Sequence, residues 1–123
     1  MIVSFGHNNI SCGTDAEYEK AVKELLSLDS AEVWISENGD AEEYPCVGLL
    51  INAEGASLNH FGDDGSCYSS HRDGTAGEMV TFCDGQYEVD ASQVIGKEEA
   101  LPALMDFFRN KGRSDSIEWD QLY

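Results

Sequence analysis

Apolar positions recur along this chain with two different periods, and the switch between them divides it into elements. Beginning near Gly13-Thr14-Asp15, the residues Tyr18, Ala21, Val22, Leu25 and Leu26 return every three to four positions, while Glu17, Glu19, Lys20, Lys23 and Glu24 fill the other faces. That spacing predicts an amphipathic helix. Thr14 stands where its hydroxyl can cap the first turn, and Glu17, three residues on, can complete a capping box. Ala31-Glu32-Val33-Trp34-Ile35-Ser36 alternates as a strand does and is stopped by Asn38-Gly39-Asp40, a turn or hairpin signal.

The next run, Cys46 to Asn52, is almost continuously apolar and predicts a central strand covered on both faces. Ala56 to Phe61 alternates again, with Ala56, Leu58 and His60 on one side and Ser57, Asn59 and Phe61 on the other. Turns at Asp63-Asp64-Gly65, around Asp73-Gly74 and at Asp84-Gly85 separate further short strands over 66–70, 78–83 and 86–89. From Gly96 the period returns to helical: Ala100, Leu101, Leu104, Met105, Phe107 and Phe108 form one stripe. Pro102 is tolerable there only in the first turn, and Gly112 stands at the expected C-cap behind Asn110 and Lys111. The tail, Ile117 to Tyr123, is apolar enough to return as a short strand or packed extension, with Trp119 sealing the core. The whole predicts one α+β domain over 1–123, an antiparallel β-meander packed against an N-terminal and a C-terminal amphipathic helix.

Charge changes the picture from fold to partner. The chain has 24 acidic residues against 7 basic ones, a formal charge of -17, and no Lys or Arg between Glu24 and Ser70. Such a surface repels nucleic-acid phosphates and anionic lipid while drawing in a basic protein. The opening residues carry no basic segment followed by a long apolar run, and no stretch reaches 18 apolar residues, which predicts a cytoplasmic protein without a membrane partner. Cys12, Cys46, Cys67 and Cys83 include no C-x-x-C pair, so reduced, mostly buried thiols are expected rather than zinc ligands joined by His7, His60 or His71. The full calcium-loop pattern and any glycine-rich phosphate loop are missing as well, so no metal, no cofactor and no catalytic residue is expected.

Two groups of residues stand out as partner-binding candidates. The first is Glu32, Glu37, Asp40, Glu42 and Glu43, with Trp34 and Tyr44 as apolar anchors nearby. The second is Asp63, Asp64, Asp73 and Glu78, on the loops around His71-Arg72. The competing expectation is a solvated acidic edge with Trp34 buried in the core. His60, inside a strand and with no nucleophile fixed beside it, is expected to make a structural hydrogen bond.

Four segments together resemble a known group: Gly55-Ala56-Ser57-Leu58-Asn59-His60-Phe61; Ser92-Gln93-Val94-Ile95; Glu98 through Phe108; and Gly112 with Ile117-Glu118-Trp119. Their order is similar to that of the Imm1 family of bacterial immunity proteins, from which the chain departs near Ser114 and Asp115, where the family commonly carries a proline. The resemblance implies a small intracellular α+β protein that binds and neutralises a cognate toxin domain of a polymorphic or contact-dependent system, nucleic-acid deaminases among them, and has no catalytic role of its own. With the charge, it implies a basic toxin partner bound 1:1 at its substrate site. Two other readings stay open: an acidic adaptor or nucleic-acid mimic without a dedicated toxin, and a small carboxylate-dependent enzyme.

Overall fold

In the computed structural model, described over residues 1–40, 43–73 and 77–123, the chain folds as β1 (Ile2–Phe5), β2 (Asn8–Ser11), α1 (Asp15–Leu26), β3 (Ser30–Ser36), β4 (Cys46–Asn52), β5 (Ala56–Phe61), β6 (Cys67–His71), β7 (Met79–Phe82), β8 (Tyr87–Asp90), α2 (Lys97–Asn110) and β9 (Glu118–Gln121). Seven strands make one antiparallel sheet in the order β2-β1-β3-β4-β5-β6-β9, and β7 pairs only with β8. The expected meander therefore holds from β3 to β6. The hairpin β7–β8 leaves the sheet, and the edges come from the tail and from an N-terminal hairpin. That hairpin escapes sequence reading because β2, Asn8-Asn9-Ile10-Ser11, has one apolar residue and β1 is only four residues long.

Both helices lie on one face of the sheet. Paired residues of neighbouring strands share a face, so the rows Val3–Ile35–Val47–His60 and Val33–Leu49–Leu58 point the same way, into a core shared with Tyr18, Val22 and Leu25 of α1 and Ala100, Leu104 and Phe107 of α2. The helices run antiparallel. Arg109 at the end of α2 bonds Asp15 at the start of α1 at 2.9 Å, and Lys97 at the start of α2 donates to the Leu28 carbonyl just beyond α1 at 3.0 Å. Between them the fully buried Tyr18 hydroxyl donates to the Leu104 carbonyl at 2.8 Å while its ring packs on Phe108, centroids 4.7 Å apart. Burial pushes the Tyr18 phenol far up, so it remains a donor.

Local signals account for most helix ends. The Glu17 N–H donates to the Thr14 hydroxyl oxygen at 3.2 Å, and the Glu17 carboxylate reaches back to the Gly13 N–H, also 3.2 Å. The α2 expectations need two corrections. Pro102 is the sixth residue of the helix, not in its first turn. It lies on the exposed side, where the carbonyl that loses a donor faces water. The left-handed cap is Lys111 (φ 61°), whose N–H donates to the Phe107 carbonyl at 2.8 Å, rather than Gly112. Ser114 is buried beyond that cap, its hydroxyl on Asp106 at 2.5 Å and its carbonyl accepting from the Trp119 indole at 2.9 Å, which docks the tail. Among the described residues no helix is long and apolar enough to cross a membrane.

His60 is buried on the helix-covered face, edge-on to Phe107 and Trp119. Its Nε2 lies 3.3 Å from the Lys111 carbonyl, as the expected structural hydrogen bond requires, while Nδ1 has no partner among the described residues. Burial holds its pKa below the usual 6.5, outweighing the opposing pull of the Lys111 carbonyl.

Two outcomes follow from this arrangement. Leu49→Ala, on the helix-covered face, lowers unfolding free energy by about 3 kcal/mol, whereas Trp34→Ala on the opposite face costs only about 1 kcal/mol; equal losses in chemical denaturation would place the two residues in one core. Because the folded-state pKa of His60 is depressed, its contribution is intact above the unfolded value near 6.5 and is lost as pH falls through the lower folded value. His60→Gln should therefore flatten the decline in stability as pH falls below about 6.5, ahead of the titration of most carboxylates; parallel pH profiles for the two proteins would show that His60 does not contribute to it.

Candidate functional site

The face of the sheet opposite the helices divides in two. Its rows are Glu32–Leu50–Ser57, then Ser4–Trp34–Gly48–Asn59–Ser69, then the Cys46–Phe61–Cys67 row beyond. The β7–β8 hairpin covers the first of these, with Asn52 donating to the Thr81 carbonyl at 3.3 Å and the Tyr87 hydroxyl to Glu32 at 2.6 Å, and it buries Phe82. The hairpin does not reach the other two rows, where Cys46, Gly48, Cys67 and Ser69 are buried, Asn59 and Phe61 half-buried and Trp34 exposed.

On that half Trp34 is 46% exposed, so it is not the core residue of the competing expectation. Its indole lies across Gly48, its neighbour on β4: a Cβ at Gly48 would stand 3.0 Å from the indole Cζ3 and 3.1 Å from Cη2. A side chain there would press on the ring, which would have to give by a few tenths of an ångström. Phe61 supports it from the next strand at 5.9 Å between centroids. Two depressions of about 300 Å³ flank this pair. One is lined by Ser4, Trp34, Ser36, Gly39, Asp40 and Cys46, the other by Tyr44, Phe61, Asp63, Ser66 and Tyr123. They adjoin along Cys46 and Phe61, which are paired across β4 and β5. Tyr44 and Tyr123 are 54% and 68% exposed, so aromatic surface continues from Trp34 to the end of the chain.

The fold thus sets Trp34 and Asp40 in one depression and Tyr44 and Asp63 in the other, joined by the Trp34–Phe61 contact. Glu37 is exposed and lines neither, with Lys111 at 3.6 Å. Glu43 and Asp64 have work within their own loops. The Glu43 carboxylate accepts from the Asn38 N–H at 2.6 Å and its side-chain amide at 2.7 Å, which holds its pKa below the usual range. Asp64 is held low by the Ser66 hydroxyl at 2.6 Å and N–H at 3.0 Å. Glu32 belongs to the hairpin, bonded to Tyr87. Asp73 and Glu78 lie toward the other end of the molecule, Asp73 against His71 and Glu78 next to β7. Glu42 lies outside the described residues.

Sequence reasoning missed Phe61, Gly48 and Tyr123. The alternation of β5 already set Phe61 on the face opposite Leu58. The pairing of Gly48 with Trp34 depends on a register that no local pattern prints, and Tyr123 joins only because β9 returns to β6.

A second polar cluster sits at the far end of β6. His71 is held between Asp73 at 2.6 Å (Nε2) and Asp120 at 2.7 Å (Nδ1), and these two carboxylates, Asp73 foremost, raise its pKa. His71, Asp73 and Glu118 each offer a ligand atom within 4.8 Å of the others, a spacing a divalent cation could bridge. Nearby Arg72 is paired with Glu99 at 2.7 Å. Cys12, Cys46 and Cys67 are buried and Cys83 half-buried; burial pushes all four thiols up, away from nucleophilic character.

The support that Gly48 gives Trp34 is open to test. Gly48→Val should lift the indole off the strand and shift tryptophan emission to longer wavelength over the constant signal of Trp119; unchanged emission would mean that the ring does not depend on the gap.

Comparison of the chain with protein-family models and with curated proteins finds no match.

Proposed function

We propose that this protein is an immunity-type inhibitor: inside the producing cell it binds a basic toxin domain 1:1 and blocks the surface by which that toxin holds nucleic acid, as a deaminase or nuclease toxin must. The observation that carries the reading is Trp34, a large aromatic residue half exposed on the sheet face opposite the helices, with Asp40 in the depression beside it and Asp63 in the depression beside its neighbour Phe61. Solvent-exposed tryptophan and tyrosine are the residues that anchor protein interfaces, and they do so from the centre of a patch with polar groups around it. Here the apolar centre is Trp34, Phe61, Tyr44 and Tyr123, lined by Asp40 and Asp63, with Lys111 and Arg113 on the far side of Asp63, in a chain of net charge -17.

The two components act at different stages of binding. The field of the whole chain speeds encounter with a positive partner, and the packed aromatics set how long the complex lasts. Phosphate-binding toxin surfaces are positive because they must offset backbone charge. Carboxylates placed on such a surface keep substrate out without any chemistry on the inhibitor's side. The similarity of the chain's motifs to the Imm1 family supports the same class, and the protein acts on this reading by binding alone.

The test is a titration of the isolated C-terminal domain of the toxin encoded beside this gene, at near-physiological salt. Nanomolar or tighter 1:1 binding with loss of toxin activity is expected. Weak binding to several unrelated basic proteins, largely lost with added salt, would instead identify a general phosphate mimic. Within the complex, Asp40→Lys and Asp63→Lys should each slow association roughly tenfold and leave stability almost unchanged, while Asp73→Lys at the far end should do much less; equal effects of all three would mean that net charge alone, not this face, guides the partner.

A further inference from the structure

The depression beside Trp34 has a more specific chemistry than acidity. Its volume of about 300 Å³ is roughly ten times the ~30 Å³ of a water molecule. Trp34, Cys46 and Gly39 wall it, and among the described residues Asp40 is the one lining residue with an ionised side chain. The hydroxyls in the lining are partly occupied: Ser4 donates to Asn9 at 2.8 Å and Ser36 accepts from the Gly39 N–H at 2.9 Å. Asp40 makes no ion pair with any Lys or Arg among the described residues, which include all seven. The site therefore combines an exposed indole face, an apolar wall and one unpaired carboxylate.

The geometry points to this depression as the receptor for a single arginine side chain of the basic partner, its guanidinium stacked on the Trp34 indole and bonded to Asp40. The inference rests on the reading of the protein as a binder of a basic domain and narrows it to one contact. An anion is excluded because the lining holds a carboxylate and no cation. A neutral apolar side chain would leave Asp40 desolvated without a partner. Arginine suits the site better than lysine: its guanidinium is planar, weakly hydrated and forked, so one group can lie against the ring and still pair with a carboxylate, whereas an ammonium is a strongly hydrated point charge. Its aliphatic stem covers the apolar wall. Gly48 is then a positioning residue, since it sets the height at which the indole offers its open face.

The probe is Nα-acetyl-arginine amide, titrated into the ¹⁵N-labelled full chain with no partner present, following the indole N–H signals of Trp34 and Trp119; Trp34→Phe assigns them. Expected are a saturable shift at Trp34 but not at Trp119, at least fivefold weaker binding of the neutral isostere Nα-acetyl-citrulline amide, weaker binding of the lysine analogue, and at least a fivefold loss in Asp40→Asn. Absence of a saturable shift, equal affinity for citrulline, or an undiminished response in Asp40→Asn would each overturn the assignment. No toxin takes part in this titration, so its failure removes the arginine pocket alone, while failure of the toxin titration removes the proposed partner and leaves any measured arginine binding in place.

Discussion

A seven-stranded sheet with both of its helices on one side must bury most of its apolar side chains in a single direction. Everything else in this protein follows from that constraint. Val3, Val33, Ile35, Val47, Leu49 and Leu58 meet α1 and α2, and the helices are locked to each other by the Tyr18–Leu104 hydrogen bond and the Tyr18–Phe108 contact. The opposite face is left without a layer of its own. A small hairpin covers half of it, and on the other half Trp34 stays exposed.

On that half the demands of packing and recognition meet in the Gly48–Trp34 pair. Strand β4 is apolar enough to sit in the middle of the sheet, yet at Gly48 it gives up a side chain and lets the indole of the next strand lie over it. A tryptophan fixed in this way loses little conformational freedom on binding, which is why rigid aromatic residues make efficient anchors. The neighbouring carboxylates are divided in use. Glu43 and Asp64 shape their own loops, while Asp40 and Asp63 line the depressions themselves.

The segments 55–61, 92–95 and 117–119 have another task. Gly55-Ala56 and Val94-Ile95 are bonded to each other, Ala56 N–H to the Ile95 carbonyl at 2.9 Å and Ile95 N–H to the Ala56 carbonyl at 2.8 Å, and a Cβ at Gly55 would stand 2.7 Å from the Ile95 oxygen. Ile117-Glu118-Trp119 docks the tail through the Trp119–Ser114 bond. These motifs join the core strand β5 to α2 and close the sheet. They form part of the scaffold, and Trp34 and Asp40 lie outside them.

By itself the sequence determined both helices, strands β3 to β8 and the capping of α1, because period and cap chemistry are local and act over a few residues. It also determined the negative sign of the chain's own field, since net charge needs no coordinates, and it singled out Trp34, Asp40, Tyr44 and Asp63 as candidates by type and proximity. Tertiary structure decided what those residues are. Trp34 shares its face of β3 with Glu32 and Ser36, and the packing of both helices on the other face, against Val33 and Ile35, leaves it exposed; Glu32 resembles its acidic neighbours until the β7–β8 hairpin takes it. The four-residue β1 and the polar β2 carry too little pattern to announce themselves, and they become strands because β3 offers an edge to pair with. Register and the choice of covered face come from contacts far apart in the chain, and these made a patch out of residues that the sequence could only name one by one.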